Sequence, residues 1–158
     1  KSYNLKSYVY WGSPQLDYSR RSELETHGAR GASVSDFNQD GYLDVSFSNF
    51  SNGEKRDIPS YIYWGSEKAD YAKRAELPTV SAYGGSPADL NRDGFTDIVF
   101  SNYSDGDNAA IHSYVYWGDK ESSYSRKLEL ATHGALGNLV ADLNGDGYLD
   151  ILFCSQNL

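Results

Sequence analysis

The stretch DFNQDGYLD occupies residues 36–44, and it returns as DLNRDGFTD at 89–97 and DLNGDGYLD at 142–150. Asp, Asn, Asp, Gly and Asp hold positions 1, 3, 5, 6 and 9 of every copy, and the copies start 53 residues apart. The same displacement carries SYVYWGS (7–13) onto SYIYWGS (60–66) and SYVYWGD (113–119), with no insertion anywhere. A fixed period of this length marks a repeat architecture, and it governs every local reading that follows.

Each period predicts four short strands. The first is rich in small residues: ASVSDF (32–37), GSPADL (85–90) and NLVADL (138–143). The second is DVSFSN (44–49), DIVFSN or DILFCS, and the third is YVYW or YIYW, dense in β-branched and aromatic residues. The fourth is RRSELET, KRAELPT or RKLELAT, with charges around the apolar Leu of its fifth position. No sustained 3.6-residue apolar period occurs, so helix is not expected. The order is graded: small residues suit a crowded centre, aromatics a wider middle, and charges an outer edge that must not pair with other chains. Pro87 lacks a backbone donor and belongs on a strand bordering an open channel. A wedge that widens outward and repeats about a centre predicts an all-β fold, a β-propeller of four-stranded blades, with three blade-equivalents in one segment, 1–158. Cut between second and third strands, the repeats span about 1–53, 54–106 and 107–158. The tyrosine and tryptophan stripes (Tyr8, Tyr10, Trp11 and their copies) are expected to pack between blades.

The acidic loop has the chemistry of a calcium site. Alternation across a turn brings the short oxygen donors at positions 1, 3 and 5 to one side. Gly41 at position 6 permits the left-handed conformation that sharpens the turn. Position 7 offers its backbone carbonyl, which leaves its side chain free to vary among Tyr42, Phe95 and Tyr148, and Asp44 at position 9 closes the shell. Hard oxygens in this number suit Ca²⁺, whereas zinc prefers His or Cys. The loop is not an EF-hand, because position 12 is Phe47, Phe100 or Phe153 and the flanks are strands. An ion-free hairpin turn would explain one copy, but not three that keep every ligand position.

The D-x-N-x-D-G-x-x-D loop between two strands, followed by Y-V-Y-W-G, resembles the FG-GAP or VCBS repeat of integrin α-subunit propellers and many bacterial extracellular proteins. The resemblance covers essentially the whole chain. It implies one Ca²⁺ in each loop, three in all. The implied ligands are Asp36, Asn38, Asp40, the Tyr42 carbonyl and Asp44; then Asp89, Asn91, Asp93, the Phe95 carbonyl and Asp97; then Asp142, Asn144, Asp146, the Tyr148 carbonyl and Asp150. The departure is in blade number, since such rings commonly have about seven blades.

Composition narrows the function. A formal charge of −8 argues against nucleic acid or anionic membrane as partner. Nine of the 22 acidic residues are loop aspartates, and three divalent ions would carry +6 and take −8 to −2. No apolar run approaches the roughly 20 residues of a membrane span. The opening KSYNLKSYVY does not form a signal peptide, which reads as a mature, trimmed or excised chain. Cys154 is single and replaces Ser48 and Ser101 of the other periods, so it reads as a tolerated strand residue.

Strand alternation puts the calcium loops and the third-to-fourth loops on one face. The second-to-third loops (51–59 and 104–112) and the loops THGARG, TVSAYG and THGALG fall on the other. Sequence varies most there, which suits a binding surface opposite a rigid face. Candidate ligand residues are His27, Arg30, Tyr83, His112 and His133. NFS (49–51) and NYS (102–104) match glycosylation sequons, or serve the ends of strands. No nucleophile with its base breaks the repeat, so no catalytic residue is expected. The reading is an extracellular or periplasmic binding, adhesion or scaffold module for a protein or glycan. A lectin-like propeller is the alternative, and a propeller hydrolase or lyase comes after it. Because roughly four to eight blades close a ring, a homodimer sharing composite blades in a six-bladed ring is expected.

Overall fold

The alternating stretches become strands in every period. The computed structural model describes residues 3–156, in which there are twelve strands and no helix. β1 (Asn4–Trp11) and β2 (Arg20–His27) form a two-stranded sheet. β3 (Gly31–Ser35), β4 (Asp44–Ser48), β5 (Pro59–Tyr63) and β6 (Arg74–Pro78) form a four-stranded antiparallel meander. β7 (Ala82–Ala88), β8 (Asp97–Asn102), β9 (Ala110–Trp117) and β10 (Arg126–His133) repeat it, and β11 (Ala135–Ala141) pairs with β12 (Asp150–Ser155). The chain thus holds two complete sheets between two halves.

The expected gradient across a sheet is present. β4 and β8 are buried along their whole length, with Ile98, Val99 and Phe100 fully enclosed. Burial of each such side chain contributes about 2 kcal/mol. Tyr61, Tyr63 and Tyr116 are buried beside them, whereas Tyr8 and Tyr10 of β1 are 49% and 53% exposed. The same tyrosine stripe is core in the complete sheets and surface in the two-stranded one. On the outer strands, Arg74 lies 3.9 Å from the Tyr61 ring centroid and pairs with Glu76 at 2.8 Å, a charged cover for an edge. Pro87 sits in β7, an edge strand, where a missing donor is tolerated.

The first strands differ from their predicted limits. β7 begins at Ala82 and β11 at Ala135, three residues earlier than expected, and both end before the acidic loop. Each contains a register shift, between Ala82 and Gly84 and between Ala135 and Gly137, which leaves Tyr83 and Leu136 as extra residues. Two glycines at this repeat position have a packing reason. A Cβ on Gly31 would lie 2.7 Å from the Tyr83 carbonyl oxygen, and one on Gly84 would lie 3.3 Å from the Gly137 Cα. Gly31, Gly84 and Gly137 share one repeat position, so the inner strands of successive sheets converge along a column without side chains.

Gly65 and Gly118, just after β5 and β9, face a similar limit. A Cβ would meet the Leu43 carbonyl oxygen at 2.3 Å or that of Thr96 at 2.4 Å. Gly65→Ala and Gly118→Ala are each expected to cost about 1–3 kcal/mol through forced backbone displacement. Urea unfolding of the two variants measures this, and midpoints equal to wild type would contradict the packing described.

Candidate functional site

The acidic loops are built by their own side chains. In the first, the Asp36 carboxylate accepts from Asp40 N–H at 3.1 Å and Gly41 N–H at 2.9 Å. The Asn38 side-chain oxygen also accepts from Asp40 N–H, and Asp40 accepts from Tyr42 N–H at 2.9 Å. The second loop repeats this at Asp89, Asn91 and Asp93. The third does so at Asp142, Asn144 and Asp146, where Asp142 takes its first bond from Gly145 N–H. These local bonds hold the turn open to solvent, with Gly41, Gly94 and Gly147 at φ of 88°, 88° and 87°. Position 4 is left-handed too, at Gln39, Arg92 and Gly145. From there Gln39 donates to the Gly94 carbonyl, and Arg92 lies 4.3 Å from the Tyr148 ring centroid. Neighbouring loops therefore touch.

Position 9 is different in kind. Asp44 is fully buried, and its carboxylate accepts from Phe37 N–H at 2.8 Å and Gly65 N–H at 2.6 Å. Asp97 does the same with Leu90 N–H at 2.9 Å and Gly118 N–H at 2.8 Å. Burial pushes both carboxyls above the usual carboxylate range; the backbone donors oppose this, and the negative charges of Asp40 and Asp36, or Asp93 and Asp89, add to it. Among the described residues Asp150 keeps only the bond from Leu143 N–H at 2.9 Å. Its other donor would be Gly12 N–H by the 53-residue register, just after β1 of a separate sheet.

The predicted ligands Asp36, Asn38, Asp40, Tyr42 and Asp44, with their two sets of copies, thus lie together in three like loops at one end of the sheets. The donors are all oxygens, with no His or Cys, as a hard divalent cation requires. Each carboxylate offers about four lone-pair sites, so the bonds to backbone leave room for an ion. As the side chains stand, the Asn38 amide donates to Asp40 at 2.9 Å, and among the described residues no group of three acidic, His or Cys side chains is poised around one point. The loops fit the cation in donor type, charge and turn shape.

At the opposite end the structure sorts the candidate ligand residues. Arg30 and Tyr83 come together, with the Arg30 guanidinium 5.4 Å from the Tyr83 ring centroid. His27 ends β2 and bonds the Asn4 side chain through Nδ1 at 2.7 Å. His112 is not in a loop, because β9 starts at Ala110; it pairs with Ala131 in the ladder. His133 ends β10 opposite Ala110. Around Arg30 and Tyr83 stand Phe50, Arg56 and Tyr103, which sequence reasoning passed over. Phe50 and Tyr103 occupy one repeat position, as do Arg30 and Tyr83, and both pairs flank the variable loops. That was the available signal.

The sequon asparagines serve the ends of strands. Asn49 is fully buried; its oxygen accepts from His27 N–H and its amide donates to the Pro59 carbonyl. Asn102 is buried likewise, between Val80 N–H and the His112 carbonyl. Both tie the second-to-third loop to the fourth-to-first loop, and neither is accessible for glycosylation.

No curated protein matches the chain. The sequence profile of the FG-GAP-like repeat matches residues 36–100 and again 89–153. Each match starts at the first aspartate of one acidic loop and ends on the buried-strand position of Phe100 or Phe153 in the next. The two spans together cover most of the sequence, and the chain belongs to the FG-GAP-like repeat family, a non-catalytic repeat module.

Proposed function

We propose that the chain is a calcium-binding β-propeller segment that acts as an extracellular or periplasmic binding, adhesion or scaffold module. The observation that carries this is the buried Asp44 and Asp97, each facing the charges of two further loop aspartates. A Ca²⁺ in each of the three loops, held by the side chains at positions 1, 3, 5 and 9 and the carbonyl of Tyr42, Phe95 or Tyr148, would relieve that repulsion. With three carboxylates and a neutral Asn per site, affinity is expected on the order of 10⁻⁵ to 10⁻³ M, which suits extracellular calcium. The opposite face, with Arg30 and Tyr83 at its centre, then takes a protein or glycan. A lectin-like role is the alternative within this reading, favoured by the tyrosines of that face.

Binding to the folded state alone raises stability by mass action. The melting midpoint is expected to rise with excess calcium and fall with chelator, and isothermal titration of Asp93→Ala is expected to lose one site of three. An unchanged midpoint contradicts the proposal. In calcium-free buffer the sign with pH follows from the raised carboxyls. Their contribution is fully present below the ordinary aspartate value of about 3.9 and is lost as pH rises through the higher folded-state values. The calcium-free midpoint should therefore fall as pH rises above the ordinary aspartate value of about 3.9. Calcium, which favours the charged form, should remove or reverse that fall.

The ring belongs to the same proposal. β1 and β12 each leave one edge unpaired, and Asp150 lacks the glycine donor that Asp44 and Asp97 have. Tyr18 is 53% exposed, whereas its copies Tyr71 and Tyr124 are buried and donate to the Leu43 and Thr96 carbonyls. A second copy that sets β1–β2 beside β11–β12 supplies both contacts and gives a two-fold, six-bladed ring. Sedimentation at micromolar concentration is expected to give the dimer mass. Gly12→Ala, whose added Cβ would make only an ordinary contact with the Tyr18 ring at 3.9 Å among the described residues, is expected to weaken the dimer by meeting the partner's Leu149 carbonyl. A stable species of single-chain mass overturns the dimer.

A further inference from the structure

We infer that the cluster of Arg30, Phe50, Arg56, Tyr83 and Tyr103 is a binding site for an acidic saccharide, one carrying uronate carboxylates. This rests on the reading of the face opposite the acidic loops as the binding face, and it names the ligand class. The three rings form a triangle: Phe50 to Tyr83 is 5.3 Å between centroids, Tyr83 to Tyr103 is 5.3 Å, and Phe50 to Tyr103 is 6.5 Å. Two guanidiniums lie against Phe50, Arg30 at 4.8 Å and Arg56 at 5.1 Å from its centroid. The sheet geometry places these groups. Tyr83 is the extra residue of the bulge in β7, and bulges re-aim side chains beside functional sites. Phe50 and Tyr103 follow the buried strands β4 and β8, and Arg56 comes from the variable loop between β4 and β5.

The polar ends of this cluster are the informative part. The chain has a formal charge of −8, yet among the described residues neither Arg30 nor Arg56 enters an ion pair. Arg56 has one long contact, 3.4 Å to the Ser81 hydroxyl, and Arg30 is fixed by ring faces. Ring faces hold a cation without using its N–H groups, so two planar donor forks remain for a carboxylate, which they match in geometry. Tyr71 and Tyr124 donate their hydroxyls to backbone carbonyls, whereas the half-buried Tyr83 and Tyr103 hydroxyls find no such acceptor among the described residues. Two forks and two phenols beside partly open ring faces suit a ligand that is both anionic and polyhydroxylated. A protein partner is less well served: an interface needs an apolar anchor in a pocket, and the apolar centre, Phe50, is 9% exposed beneath the two arginines.

The test is isothermal titration of the calcium-saturated full chain with a glucuronate-containing hexasaccharide, its carboxyl-reduced neutral counterpart and a hexaglutamate peptide. The charged saccharide is expected to bind, with affinity that falls as salt rises. The neutral saccharide and the Arg30→Gln/Arg56→Gln variant are each expected to lose roughly tenfold or more, with the variant's melting midpoint in calcium unchanged. Should the double variant misfold, Arg30→Gln alone, at an exposed position, reads the same loss. No binding of the charged saccharide, equal binding of the hexaglutamate, or indifference to the arginines overturns the inference. A neutral glycan or a protein held by this face in array screening, with the arginine variant unaffected, also overturns it and leaves the binding-module reading standing.

Discussion

The carboxylate at the ninth position of the acidic loop is the constraint on which the rest of each repeat depends. Asp44 lies where water cannot reach it, and it is kept there by backbone N–H groups from the end of the first strand and from the turn after the third. One side chain therefore fixes the entry to the loop, its exit and the strand beyond. A buried carboxylate with so few partners is costly unless its charge is compensated. Two further aspartates nearby raise that cost, which is the repulsion that the proposed cation would relieve. The loop sequence then reads as one device: local bonds shape it, and the ninth residue joins it to the sheet.

The other end of the sheets is organised by a different residue and a neutral one. Asn49 and Asn102 bridge a strand end to two loops through paired amide bonds, without burying charge. That end can accept loops of varied sequence, since the asparagine contacts only backbone groups. The glycine column at Gly31, Gly84 and Gly137 brings the inner strands together, and the bulge in β7 sets Tyr83 against Arg30 of the preceding sheet. A functional surface can thus change by substitution at a bulge while the clamps below stay the same.

Much of this was legible in the sequence, for stated reasons. The 53-residue period located all twelve strands and the three acidic loops, because identical spacing forces identical pairing. The burial of Asp44 was not legible: its partners Phe37 and Gly65 are backbone donors, and backbone leaves no compositional trace. The early starts of β7 and β11 were missed because Ala-Tyr-Gly and Ala-Leu-Gly read as loop, although a bulge carries them in the ladder. His112 was placed in a loop because the polar run before β9 hides where pairing begins. Phe50 and Tyr103 were passed over as ordinary residues at a strand end, and only their convergence with Tyr83 and two arginines singles them out.

The carboxylate clamp can be observed directly by amide hydrogen exchange on the intact chain. The N–H groups of Gly65 and Gly118 lie just past the ends of their strands, where a turn amide ordinarily exchanges fast. Bound to the buried Asp44 and Asp97 carboxylates, they should exchange as slowly as the core amides of β4 and β8, and more slowly still when calcium is added. Exchange of Gly65 and Gly118 at the rate of an unprotected turn, with or without calcium, would contradict the account.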